Sequence, residues 1–257
     1  YLVNPYFPNQ RLKDELAASF ERLLTEYPSG QKVNNLLAAK DFGVKQEYIL
    51  VGNGAAELIK ALTTQMLGKV GIVRPTFEEY PNRLMPEQVV AYVPQRPDFR
   101  YTVDDLMDYF DDKQIWSLVL INPDNPTGNY IPYDDCSRLA QWCQEREIVL
   151  VIDESFIDFS SEHPTFLNNA ILAQNDHLVV VKSISKSYGV PGLRLGVLAT
   201  SNQSLMMNLR REMSIWNINS FGEFFLQIIG KYEKVYAQAM DAFREERSHF
   251  VKALESV

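Results

Sequence analysis

Short apolar runs rich in β-branched residues recur along the chain at 48–52 (YILVG), 71–73 (GIV), 89–93 (VVAYV), 117–121 (SLVLI), 148–152 (IVLVI), 177–181 (HLVVV) and 194–199 (RLGVLA). They lack the strict apolar/polar alternation of a strand with one wet face, so they predict strands buried on both faces. Amphipathic stretches of roughly 10–15 residues lie between them, long enough for helical crossovers. The pattern therefore predicts an α/β fold, a mostly parallel seven-stranded sheet flanked by helices. In such sheets ligands bind beyond the carboxyl ends of the strands. The chain places its Gly/Pro-rich and polar insertions there: GNGAAE (52–57), RPTFEEY (74–80), NPDNPTG (122–128), DESFIDF (153–159) and KSISKSYGVPG (182–192).

The two ends of the chain read differently. Residues 1–30 hold one helical segment between Asn4-Pro5-Tyr6 and Tyr27-Pro28-Ser29-Gly30, which predicts an arm laid over the main domain of residues 31–231. Residues 232–257 form one long, charged, amphipathic pattern with no Gly or Pro to stop it. The helix is expected to run on toward further structure.

Composition narrows the function classes. With 46% hydrophobic and 23% charged residues among 257, the chain is an ordinary globular one. Its 25 basic and 33 acidic residues give −8 with no basic run to follow a phosphate backbone, so nucleic acid is not an expected partner. No apolar run approaches the ~20 residues that span a bilayer, and no signal-peptide pattern opens the sequence. Cys136 and Cys143, seven apart on one predicted helix, suit buried thiols in a reducing cytoplasm better than a disulfide framework. His163, His177 and His249 are too scattered for a metal site or a triad.

Three groups at the strand ends carry chemistry. Asp153 follows 148–152 directly, where a carboxylate can hold a proton on a buried ring nitrogen; a helix cap or an ion pair is its plainer use. Lys186 lies five residues past 177–181 among Ser183, Ser185 and Ser187. A lysine becomes a nucleophile when a cationic pocket depresses its pKa, and Arg194, eight residues on, supplies a cation as well as a planar fork for phosphate oxygens. Gly52, Gly54, Ala55 and Ala56 end another strand and open a helix, letting backbone N–H groups approach an anion. An anion cradle, an amine and a carboxylate for a ring nitrogen are together the protein side of pyridoxal-phosphate chemistry.

The strings Asn122-Pro123-Asp124-Asn125-Pro126-Thr127-Gly128, Asp153-Glu154-Ser155-Phe156 and Ser183-Ile184-Ser185-Lys186 through Gly196 resemble, in order and separation, the class I/II aminotransferases of the aspartate-aminotransferase fold. Within that group the chain is most similar to histidinol-phosphate aminotransferase and threonine-phosphate decarboxylase. The resemblance implies a pyridoxal 5'-phosphate enzyme for an amino-acid substrate, transamination first and α-decarboxylation of a phosphorylated amino acid second. It implies that Lys186 carries the Schiff base and moves the proton, Asp153 keeps the pyridine nitrogen protonated, Asn125 hydrogen-bonds the cofactor's O3′ and Phe77 stacks on the ring. Gly54, Ala55, Ala56, Ser183, Ser185 and Arg194 would hold the phosphate. Tyr27 would reach it from a neighbouring subunit, so a homodimer is expected. Plainer uses stand beside these: core packing for Phe77, a turn for Asn125, an interface aromatic for Tyr27. Thr127 and Gly128 read as turn-formers.

Two departures qualify the resemblance. Relatives usually carry tyrosine where this chain has Phe156, so the phenolate oxygen loses a donor and the Schiff base is expected to hold its proton to higher pH. The family's long helix also leads into a small domain of ~100 residues bearing the arginine that grips the substrate carboxylate. The chain stops inside that helix, so it is expected to bind the cofactor yet turn over poorly if it acts alone. Ser183-Ile184-Ser185-Lys186 fits the S-x-x-K of penicillin-binding hydrolases, but S-D-N and K-T-G are missing. An ATPase reading of 148–154 fails for want of a phosphate-binding G-x-x-x-x-G-K loop. A non-catalytic dimer has no use for Lys186.

Overall fold

The computed structural model describes residues 3–160 and 164–256. His163 lies outside the described residues. All seven apolar runs form strands: β1 Ile49–Asn53, β2 Lys69–Val73, β3 Val89–Tyr92, β4 Ile115–Ile121, β5 Val149–Asp153, β6 Leu178–Ser183 and β7 Leu195–Ala199. β2 and β4 each begin two residues earlier than the apolar runs, because Lys69 pairs with Ile115 although the side chains of Lys69 and Trp116 are exposed.

One sheet contains them in the order β1-β7-β6-β5-β4-β2-β3. β7 runs antiparallel to both neighbours and every other pairing is parallel. The reversal follows from the short connection. Only residues 184–194 separate β6 from β7, where a parallel return needs a crossover of about a dozen residues or more.

Strand residues alternate between two cores, one on each face. Leu150 and Ile152 of β5 join the core beneath helices 31–42, 103–110, 133–145 and 220–228, while Val151 joins the core beneath helices 55–65 and 203–212. All three are fully buried. At about 1.5–3 kcal/mol for each such side chain, this two-sided burial fixes the register, since a one-residue slip would exchange the faces. The final helix, Glu233–Glu255, buries Ala239 and Met240.

Candidate functional site

The sheet's topology assembles one cleft. Because β7 runs backward, its start lies beside the ends of β1 and β6: Leu195 pairs with Asn53, and Gly196 with Ser183. Asp153 ends β5 opposite Ile121 of β4 and Val181 of β6. The residues just beyond these positions line a single cavity, which Gly54, Ala55, Ala56, Phe77, Asn125, Asp153, Ser183, Lys186 and Arg194 share with Ile121, Ser155 and Phe156.

One end of the cleft is built for an anion. Helix Ala55–Gln65 starts after Gly54 without a side-chain cap, so its first N–H groups and the positive end of its dipole face the opening. Gly54 has φ +75°, and a Cβ there would sit 2.7 Å from Arg194 Nη2. A Cβ on Gly196 would lie 2.4 Å from the Ala55 nitrogen. The two bare glycines let the Arg194 side chain and β7 close on the turn. The Arg194 guanidinium is exposed to the cleft and makes no ion pair or hydrogen bond among the described residues. Gly54→Ala is expected to weaken affinity for a phosphate-bearing ligand at least about tenfold, through the left-handed backbone and displacement of Arg194. An absorbance titration with pyridoxal phosphate measures it, and unchanged affinity would count against the cradle.

At the cleft floor lies Asp153, 2% exposed. Its Oδ1 accepts the backbone N–H of Ser155 at 2.9 Å and its Oδ2 the Tyr80 hydroxyl at 2.8 Å. Burial pushes its carboxyl above the usual carboxylate range, while the Ser155 and Tyr80 hydrogen bonds and the Lys186 charge pull it back. Lys186 is half-buried on the four-residue helix Ile184–Ser187. Its carbonyl accepts the Asn4 N–H at 2.9 Å, and its amine forms no ion pair or hydrogen bond among the described residues.

The loop at 122–128 brings Asn125 to the cleft through a turn in which the Asp124 carboxylate accepts the Thr127 hydroxyl and the Asp124 carbonyl accepts the Gly128 N–H at 3.0 Å. Two candidates lie elsewhere. Ser185 is buried with its hydroxyl toward the Leu195 carbonyl at 3.4 Å, outside the cleft lining. Tyr27 is 79% exposed and stacks on Trp216 with ring centroids 4.4 Å apart, also outside the lining within one chain. Cys136 and Cys143 are buried free thiols, with burial pushing Cys136 up to about 12. No group of metal-ligating side chains occurs among the described residues, and no described helix is long and apolar enough to cross a membrane.

Sequence reasoning missed Tyr80 and Ser155. Ser155 carried a signal: a strand-ending Asp accepts readily from the N–H two residues on. Tyr80 carried none beyond its spacing, three residues after Phe77.

The class I and II aminotransferase family model matches residues 9–257. The chain is 33% identical over 256 residues to CMP-5'-(3-aminopropyl)phosphonate synthase of Streptomyces rubellomurinus, covering 100% of this chain but only 40% of that protein. It is 32% identical over 267 residues to L-serine phosphate decarboxylase of Sulfurospirillum multivorans, covering 99% and 68%. Among solved structures, a decarboxylase from Sulfurospirillum multivorans superposes with TM-score 0.88 at 29% identity, covering 99% of this chain and 67% of that one.

Proposed function

The chain belongs to the class I and II aminotransferase family, and on that premise we propose that it removes the α-carboxylate of an amino acid bearing a phosphate or phosphonate group. Enzymes of this family and fold depend on pyridoxal phosphate. When bound, that cofactor supplies an aldehyde that condenses with amines and a protonated ring that takes up the electron pair released at the α-carbon.

The residues present fit such a group. An uncapped helix start beside an unpaired arginine, with no room for a Cβ between them, suits a phosphate, and a buried carboxylate at the cleft floor suits a protonated ring nitrogen. In this reading Arg194, Ser183 and the N–H groups of Ala55 and Ala56 hold the phosphate, with Ser185 supporting the turn from behind. Asp153 holds the proton at the ring nitrogen. Asn125 hydrogen-bonds the ring's hydroxyl oxygen and Phe77 covers one ring face. Lys186 is the nucleophilic amine and then carries the proton to or from the α-carbon, the role of a positioned general acid and base. Tyr27 of a second copy closes the phosphate end, and its 79% exposure leaves it available for that contact. The observation that carries the reading is the opening of Asp153, Lys186 and Arg194 into one cleft.

Similarity to an L-serine phosphate decarboxylase in sequence, and to a decarboxylase of the same organism in structure, favours carboxylate loss over amino transfer, which the sequence resemblance puts first. Phe156, which lines the cleft, is consistent with this, since the resemblance to threonine-phosphate-decarboxylase-like sequences extends to a phenylalanine at that position. Amino transfer stands as the second reading, because the matching family is named for it. Incubation of the loaded protein with O-phospho-L-serine and O-phospho-L-threonine separates the two. Carbon dioxide and an amine phosphate are expected, with unphosphorylated serine at least about tenfold poorer. A 2-oxo product formed only when a 2-oxo acid is supplied, without carbon dioxide, establishes amino transfer instead.

A further inference from the structure

Tyr80 has no role in the family resemblance, yet its hydroxyl donates to Asp153 Oδ2 at 2.8 Å from a loop 73 residues away in the chain. Its ring is fully buried in the core beneath helix 55–65, among Leu58, Leu62 and Val151. The same loop puts Phe77 on the cleft wall, so two aromatic residues three apart serve different layers, one facing the ligand and the other beneath it.

The hydrogen-bond arithmetic at Asp153 admits one protonation state comfortably. Oδ1 faces the backbone N–H of Ser155, which can donate but never accept. Oδ2 faces the Tyr80 hydroxyl, whose proton has no other acceptor among the described residues. A neutral carboxyl would have to aim its own proton at one of these donors and leave that donor unpaired in the core, a cost of about 1–3 kcal/mol. Both donors are therefore matched to a carboxylate. Burial and the neighbouring Asp153 charge hold the Tyr80 phenol well above its usual range, so it stays a donor.

The Ser155 hydroxyl and the Lys186 ammonium also favour the carboxylate, and the two titratable groups acting on Asp153 among the described residues are Tyr80 and Lys186. Lys186 is the amine that the reaction engages, so its charge is not constant through a turnover. Tyr80 and the Ser155 N–H and hydroxyl remain whatever state the lysine is in, and of these Tyr80 alone is fixed by a separate loop. We propose that Tyr80 is a positioning residue that keeps Asp153 an ionised acceptor facing the cleft throughout the reaction, including the stages at which Lys186 carries no charge. The inference rests on the assignment of Asp153 to the ring nitrogen made above.

Tyr80→Phe removes one oxygen and keeps the ring. In the full-length protein without cofactor, the Asp153 carboxyl, followed by carbon-13 NMR of labelled aspartate, is expected to titrate about one unit higher, a tenfold change in its proton affinity. Combined with Lys186→Met, the same substitution is expected to shift it further still. Pyridoxal-phosphate affinity is expected to fall by up to about tenfold on the acid side of the Asp153 titration and to recover to within about threefold on its alkaline side, where the carboxyl is ionised in either protein. A merely structural role gives a loss that does not change with pH. Fluorotyrosine at position 80, a stronger donor of nearly the same shape, is expected to move the titration the opposite way, which keeps the inference testable if the phenylalanine variant folds poorly. An unshifted Asp153 titration in both variants, or a pH-independent affinity loss, overturns the role of Tyr80. Asp153→Asn tells the two levels apart: severe loss beside a silent Tyr80→Phe sinks only this inference, whereas a harmless Asp153→Asn removes the assignment beneath it.

Discussion

Protein carrying Lys186→Met is expected to lose turnover by at least about 10³-fold while still binding pyridoxal phosphate, since general acid–base catalysis alone contributes about 10²–10⁴. Methionine keeps the length of the stem and removes only the amine. Lys186 stands on a short helix whose carbonyl is tied to Asn4, so the backbone that aims the side chain does not depend on the ammonium. The anion end of the cleft, built from Gly54, the helix start and Arg194, is untouched by the substitution. Binding and chemistry therefore separate. Absorbance titration should show affinity within about tenfold of the parent, whereas product release falls to background. A small primary amine added to the medium should restore part of the rate, because it supplies the missing base without the missing tether. Turnover within tenfold of the parent would show that another group moves the proton, and the reading of the cleft would have to be rebuilt.

What was legible beforehand follows from which forces act locally. Two-sided burial writes itself into a sequence as continuous apolar runs, so β5 and β6 stood out, and the residues just after them, Asp153 and Lys186, were marked by position alone. The direction of β7 was not written there. It depends on how few residues join β6 to β7, and that reversal is what carries Arg194 back beside Gly54. Tyr80 escaped notice for a related reason: its partner lies 73 residues away in the chain, and a buried tyrosine looks like any core aromatic until its hydroxyl is traced. Ser185 shows the opposite failure. A serine one residue from Lys186 is expected to face the same cleft, but the tight turn directs its hydroxyl to the Leu195 carbonyl.

The same limit hid the buried ion pair under the cleft. Lys182 Nζ lies 2.6 Å from Asp158 Oδ1, with side-chain exposures of 7% and 19%, and Tyr236 of the final helix donates to Asp158 Oδ2 at 3.1 Å. Burial alone would raise the Asp158 carboxyl, but the charge and hydrogen bond of Lys182, with the Tyr236 hydroxyl, outweigh it and hold the group below its usual range. Lys182→Met is therefore expected to destabilise the protein by about 3–5 kcal/mol, because it strands a carboxylate in the core. Adding Asp158→Asn should recover most of the loss, since asparagine still accepts from Tyr236 and carries no charge. Urea unfolding of the two variants and the parent measures both steps. The pH dependence has a definite sign. A depressed folded pKa contributes stability that is present above the unfolded value of about 3.9 and is lost as pH falls through the folded one. Without Lys182 burial dominates, Asp158 takes up a proton, and its cost is relieved on acidification, so the gap between parent and Lys182→Met should begin to narrow as pH falls toward the unfolded value of about 3.9 and go on narrowing below it. The effect should also reach the cleft. Asp158 follows Phe156, which lines it, and Arg244 of the final helix donates to the Asp158 carbonyl at 3.2 Å, so one buried pair ties the cleft wall to that helix. If Lys182→Met costs under about 1 kcal/mol, the pair is no better than a surface ion pair, and that link between helix and cleft is lost with it.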